Sequence, residues 1–175
     1  MKDLVKMNTS LGEKIEKMLN EQIRHEAHSS STYLAMASWC DANGFENSAN
    51  FFYEQADEER GHMLKLVHYV NDTGGRAISP EVSNIQQDYN SFRSVFEAAL
   101  EQELAITESI NRIADQCVQD KDYTTANFLN WYLDEQVEEL YIARRCVELF
   151  DVIGEDGIGR YMIDKEIPTI EYKAG

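Results

Sequence analysis

Apolar side chains recur at intervals of three and four through four long stretches of this sequence, the spacing of one helix face. In the first stretch Ile15, Leu19, Gln22, Glu26, Tyr33 and Ala37 fall in step. Ser10-Leu11-Gly12-Glu13 has the form of a capping box, and Asn43-Gly44 supplies a left-handed stop. Together they predict a helix running to about Asp41. The second stretch, from about Phe45 to Asn71, carries Phe52, Gln55, Glu59, His62, Leu66 and Tyr69 on one face. So short a link predicts that the first two helices are antiparallel neighbours. Ser94-Val95-Phe96-Glu97 is a second capping-box candidate, with a start one turn earlier as the alternative. The third helix then runs to about Gln119, with Phe96, Ala99, Glu103, Ile106, Ile110, Ile113 and Cys117 in step. After the polar turn Asp120–Asp122, a fourth extends from about Tyr123 to Ile153, aligning Phe128, Tyr132, Gln136, Glu139, Ala143, Cys146 and Phe150. Gly154, Gly157 and Gly159 then break the chain, and a short helix from about Arg160 to Glu166 stops before Pro168.

The stretch from Gly74 to about Ser91 has no sustained period and contains Gly-Gly and Ser79-Pro80. A helix of roughly 27 residues is about 40 Å long, and about 17 extended residues can run back along it. The expectation is an all-α fold in one domain over residues 1–175. It is a four-helix bundle with one long crossover between helices two and three and a short fifth helix at the C-terminal end.

Composition narrows the function. Two prolines and nine glycines in 175 residues suit an all-helical chain. A net charge of −16 argues against nucleic acid as a partner, since no basic stripe is there to neutralise phosphates, and suits a protein that attracts cations. Cys40, Cys117 and Cys146 are odd in number and scattered, which reads as buried thiols in a reducing compartment. Met1–Lys6 has no apolar signal core, and no apolar run is long enough to span a bilayer. The expectation is a cytoplasmic protein with no membrane partner.

Candidate chemistry comes from residues that break the stripes. Each long helix has one interruption, and each is a potential ligand: Glu26, then Glu59 with His62, then Glu103, then Gln136 with Glu139. An ionised carboxylate on a buried face needs compensation for its lost hydration. Glu26 and Glu59 stand at similar distances from the turn at Gly44, and Glu103 and Glu139 at similar distances from Asp120–Asp122, so all four levels coincide near mid-bundle. Glu59 with His62, Glu101-Gln102-Glu103 and Glu135 to Glu139 could each separately be a solvated face. The coincidence of heights on four helices argues against that. Two divalent cations would neutralise four buried carboxylates, and oxygen-rich ligands with one imidazole suit iron or manganese. His25, His28 and His68 are out of register with the cluster and read as surface or packing residues.

The chain resembles a bacterial non-haem ferritin over nearly its whole length. The matching pieces are Asn20 to Glu26 through Tyr33, Glu58-Glu59-Arg60-Gly61-His62, Asp122-Tyr123, Asn127 to Tyr132, Glu135 to Glu139, and Tyr161 to Glu166. The resemblance implies a ferroxidase centre holding two irons. Glu26, Glu59 and His62 match the ligands of the first, Glu103 and Glu139 those of the second, with Glu59 bridging and Gln136 close by. It further implies a third iron site from Glu58, Glu135 and Glu138 with Glu139 shared. Tyr33 and Trp131 match redox-active neighbours of the centre. The implied assembly is a homo-24-mer cage that oxidises Fe(II) with dioxygen and stores Fe(III) as oxide mineral.

Departures sort the relatives. Bacterioferritins carry a second Glu-x-x-His on the fourth helix and a methionine after the bridging glutamate; here stand Gln136-x-x-Glu139 and Arg60, so no haem is expected. The small DNA-protecting cages build their site between subunits and lack the final helix. Animal heavy chains line their three-fold pore with acids where this chain has Ala126 and Leu129. Two other classes stand beside the iron-storage reading. One is a dimetal-carboxylate oxidase or oxygenase acting on a small substrate without mineral storage. The other is a non-catalytic mineral shell, which would have lost its centre ligands.

Overall fold

A computed structural model describes residues 11–173. It contains five helices: α1 (Glu13–Ala42), α2 (Glu46–Asp72), α3 (Phe92–Asp120), α4 (Tyr123–Ile153) and α5 (Gly159–Glu166), followed by a 3-10 turn (Ile167–Thr169). The all-helical bundle with its short fifth helix is as the periodicity predicts.

Helix ends follow local chemistry. The expected cap Ser10 lies outside the described residues, and α1 begins after an extended Gly12 without a side-chain cap. Gly44 turns the chain from α1 into α2 at φ +82°, in the region that favours glycine. The cap of α3 is Ser91, one turn before the Ser94 candidate. Ser94 N donates to Ser91 Oγ at 3.1 Å and Ser91 N to Ser94 Oγ at 3.0 Å, so two serines make the reciprocal pair. Glu97, the acid expected to complete the box, is bound by Arg93 Nε at 2.7 Å instead. Asp122 caps α4 by accepting from Thr125 N at 3.0 Å.

Residues 73–91 form the crossover, and α1 carries it. Asn20 Oδ1 accepts from Ile78 N at 2.8 Å, and Asn20 Nδ2 donates to Arg76 O at 3.0 Å. At the other end Tyr89 meets Trp39 edge-on at 6.0 Å. Asn20 and Trp39 are about 28 Å apart along the helix, so the strand traverses most of α1 and returns the chain to the end where α2 began. There Phe45 stacks on Phe92 at 3.7 Å, which places the starts of α2 and α3 together and makes them parallel. The N-terminus of α2 has no local cap. Asp164 on α5 supplies one: it accepts from Ser48 N at 2.9 Å, Ser48 Oγ at 2.8 Å and Asn47 Nδ2 at 2.7 Å.

The hydrophobic core is split. One cluster holds Tyr33, Phe52, Phe92, Phe96, Phe150 and Ile163; the other holds Leu19, Ile23, Leu66, Ile110, Leu129 and Tyr132. Between them, at one level on all four helices, lies a layer of buried polar side chains.

Candidate metal centre

That layer consists of Glu26, Glu59, His62, Glu103, Gln136 and Glu139, none more than 7 % exposed. The helical register puts them there. Glu26 sits between the buried Ile23 and Tyr33, Glu59 between Ala56 and Leu66, Glu103 between Ala99 and Ile106, and Glu139 between Tyr132 and Ala143. Side chains on the apolar stripe at this height cannot turn to solvent.

Glu26, Glu59 and His62 each present a ligand atom, all within 4.8 Å of one another. His62 Nδ1 is 3.2 Å from Glu59 Oε2, and Nε2 is 3.9 Å from Glu135 Oε1. Glu58, His62 and Glu135 form a second group of the same tightness toward the surface. His62 is the residue common to these two groups. Glu138 stays half-buried beside them and adds negative potential at Glu58 and Glu139. Glu103 is held from two sides. It accepts from the Tyr33 hydroxyl, and Gln136 Nε2 donates to its Oε2 at 3.2 Å and to Thr107 Oγ1 at 3.0 Å. Trp131 lies on the flank, its ring 5.5 Å from that of His62 and stacked on Tyr132 at 4.5 Å.

No Lys or Arg among the described residues balances this layer. Among the described residues neither Lys nor Arg pairs with Glu26, Glu59, Glu103 or Glu139. Burial, joined by repulsion from Glu103 and the outer acids, raises Glu139 to about 9. Burial raises Glu103 to about 7 against the opposing hydrogen bonds from Tyr33 and Gln136. Glu59 is pushed well above the carboxylate range by burial and then by Glu26. Burial lowers His62, so its imidazole is neutral and offers a lone pair. Glu26 Oε2 is buried with no hydrogen-bond partner among the described residues. An orphaned carboxylate oxygen, a neutral imidazole and acids that hold protons only for want of a cation are the donor set of a hard divalent metal.

Sequence reasoning missed the supports. Gln22 Nε2 donates to Glu26 Oε1, and Ser109 Oγ donates to Gln22 Oε1 at 2.6 Å, which fixes which end of the amide faces the acid. Gln22 stood in step on the stripe one turn before Glu26, and its polarity there was the available signal. Thr107 and Ser109 carry no such mark, because a hydroxyl on a helix is common wherever it points.

A family profile described as a ferritin-like domain matches residues 16–152. A probable bacterial non-heme ferritin-like protein of Haemophilus influenzae is 39 % identical over 164 residues, covering 94 % of this chain and 99 % of that protein. A bacterial non-heme ferritin of Campylobacter jejuni is 39 % identical over 91 % of this chain and 96 % of its own length. Among solved structures, an open pore ferritin from the hyperthermophilic archaeon Archaeoglobus fulgidus superposes with a TM-score of 0.88 at 36 % identity, covering 93 % of this chain and 99 % of that one. Sequence relatives and backbone agree along almost the whole length, and the chain belongs to the ferritin family.

Proposed function

We propose that this protein stores iron, oxidising Fe(II) with dioxygen at a two-iron centre within each subunit and keeping Fe(III) as oxide mineral inside a 24-copy cage. The observation that carries this reading is the uncompensated layer of four buried glutamates around His62. Fe(II) is the substrate. Glu26, Glu59 and His62 hold one ion, Glu103 and Glu139 the second, and Glu59 bridges. Gln136 orients Glu103 through its amide. Each Fe(II) gives up one electron to dioxygen, and hard carboxylate oxygens favour the Fe(III) product. Glu139, protonated at neutral pH without metal, releases its proton when Fe(II) binds, and Glu103, raised to about 7, gives up the part of its proton it still holds. Glu58, Glu135 and Glu138 take a third iron on the way to the mineral. Tyr33, bonded to Glu103, and Trp131, beside His62, stand within reach as further electron sources.

An oxidase acting on an organic substrate would need a pocket at the centre. A cavity of about 600 Å³ between α1 and α3 and another of about 440 Å³ between α1 and α2 touch none of the layer's six residues. No helix among the described residues is long and apolar enough to cross a membrane, and a cytoplasmic location fits three free thiols.

The test is stopped-flow absorbance after mixing Fe(II) with aerated protein. Glu59→Ala should lose the fast oxidation phase while size-exclusion still reports a particle of cage mass. An unchanged fast phase would remove Glu59 from the centre, and a monomer-sized wild-type protein would remove the cage.

A further inference from the structure

We infer that Lys65 holds Trp131 back from oxidation, so that Tyr33 rather than Trp131 is the first side chain to give up an electron near the centre. This rests on reading the centre as an iron-oxidising one. Trp131 lies where oxidising equivalents arise, 5.5 Å from the His62 ring. Loss of an electron turns an indole into a radical cation, which is then relieved by passing the Nε1 proton to a base. Both halves of that event are opposed here. Lys65 Nζ sits 3.3 Å from the centre of the Trp131 ring. It attracts the neutral indole's π-face and repels the same ring once it is positive. Trp131 Nε1 is buried with no hydrogen-bond partner among the described residues, so no acceptor there waits for the proton.

Lys65 itself is exposed and, among the described residues, makes no ion pair, although the chain carries 32 acidic residues. Its charge therefore rests on the indole and is not drawn off to a carboxylate. Tyr33 is placed in the opposite way. Its hydroxyl already donates to Glu103, so electron loss from the phenol and proton transfer to the carboxylate leave a neutral radical. Lys65 touches no substrate; it is a positioning residue that acts through Trp131.

The test uses full-length protein carrying Trp39→Phe, which leaves Trp131 as the only tryptophan of two. In the first arm metal-free protein is exposed to azide radicals, each of which takes one electron from an indole and becomes azide ion. Oxidised Trp131 is then quantified by peptide mass spectrometry. Lys65→Gln should raise the Trp131 product about tenfold, the size of effect expected from removing a cation in contact with the ring. Lys65→Arg, which keeps the charge, should stay at the parent level. No rise in Lys65→Gln, or an equal rise in Lys65→Arg, overturns the inference. In the second arm the same proteins turn over Fe(II) in air, and the Trp131 product per iron oxidised should rise in Lys65→Gln alone. Failure of the parent protein to oxidise Fe(II) would refute the iron-oxidising reading, while the first arm still decides the role of Lys65.

Discussion

Replacing Glu139 by glutamine should make the metal-free protein more stable, by an amount that grows with pH. Burial and neighbouring acids raise this carboxyl to about 9 in the folded chain, against 4.5 as the ordinary value. Below pH 4.5 both folded and unfolded forms hold the proton, and the group contributes nothing. Between 4.5 and about 9 the unfolded chain ionises while the folded one stays protonated, so wild-type stability falls as pH rises. The slope is about 1.4 kcal/mol per pH unit, which accumulates to about 3 kcal/mol at pH 7 and about 6 kcal/mol at pH 9. Glutamine keeps the shape and cannot ionise. Urea unfolding of chelator-treated protein, followed by far-UV circular dichroism at pH 5, 7 and 9, measures the difference between the two proteins. The value near pH 5 sets the packing baseline, and the advantage of Glu139→Gln over wild type should widen from there. An advantage that is flat or narrows with rising pH would refute the claim that the layer is uncompensated without metal. Added Fe(II) should reverse the order, because only the carboxylate gains a cation.

Two further perturbations probe the supports. Asp164→Ala removes four hydrogen bonds at the start of α2, the longest of them from Asn47 N at 3.4 Å, and leaves the buried Ser48 amide unpaired; it should cost about 3 kcal/mol in urea unfolding, with Asp164→Asn costing about half. Equal stability of all three proteins would show that α2 finds another cap. Tyr33→Phe should cost about 2 kcal/mol at pH 8, where Glu103 is an ionised acceptor. It should cost less at pH 5, since Glu103 takes up its proton at about 7. A cost independent of pH would mean that the phenol packs without serving the carboxylate.

Most of this architecture is legible in the sequence because helix periodicity is a strong signal over stretches as long as these. Glu26, Glu59, Glu103 and Glu139 could be brought to one level by counting from two turns, since a helix converts residue number into height. Counting does not give rotamers or partners. The pairing of His62 with Glu135 as well as Glu59 depends on where the ring lies between α2 and α4. Likewise, the chain Ser109, Gln22, Glu26 joins α3 to α1 across 87 positions, with nothing local to announce it. Of the two starts open for α3, the earlier one at Ser91 is taken because serine, like glutamate, can return the second bond of the box. Nothing in the sequence around Lys65 sets it apart; only the position of Trp131 on the facing helix gives it a task.

The cap that α5 supplies to α2 also sets an order of events during synthesis. Asp164 follows Ser48 by 116 positions, so a growing chain makes α1 and α2 long before it makes the residue that completes α2. The nascent hairpin already contains Glu26, Glu59 and His62, half of the buried polar layer, with neither Glu103 nor Glu139 yet made. Until Asp164 is made, the first amides of α2 lack the acceptor that the folded chain gives them. The last helix thus acts as a completion signal. It is translated after every residue of the layer, and it caps the helix bearing Glu59 only once all partners of that residue exist.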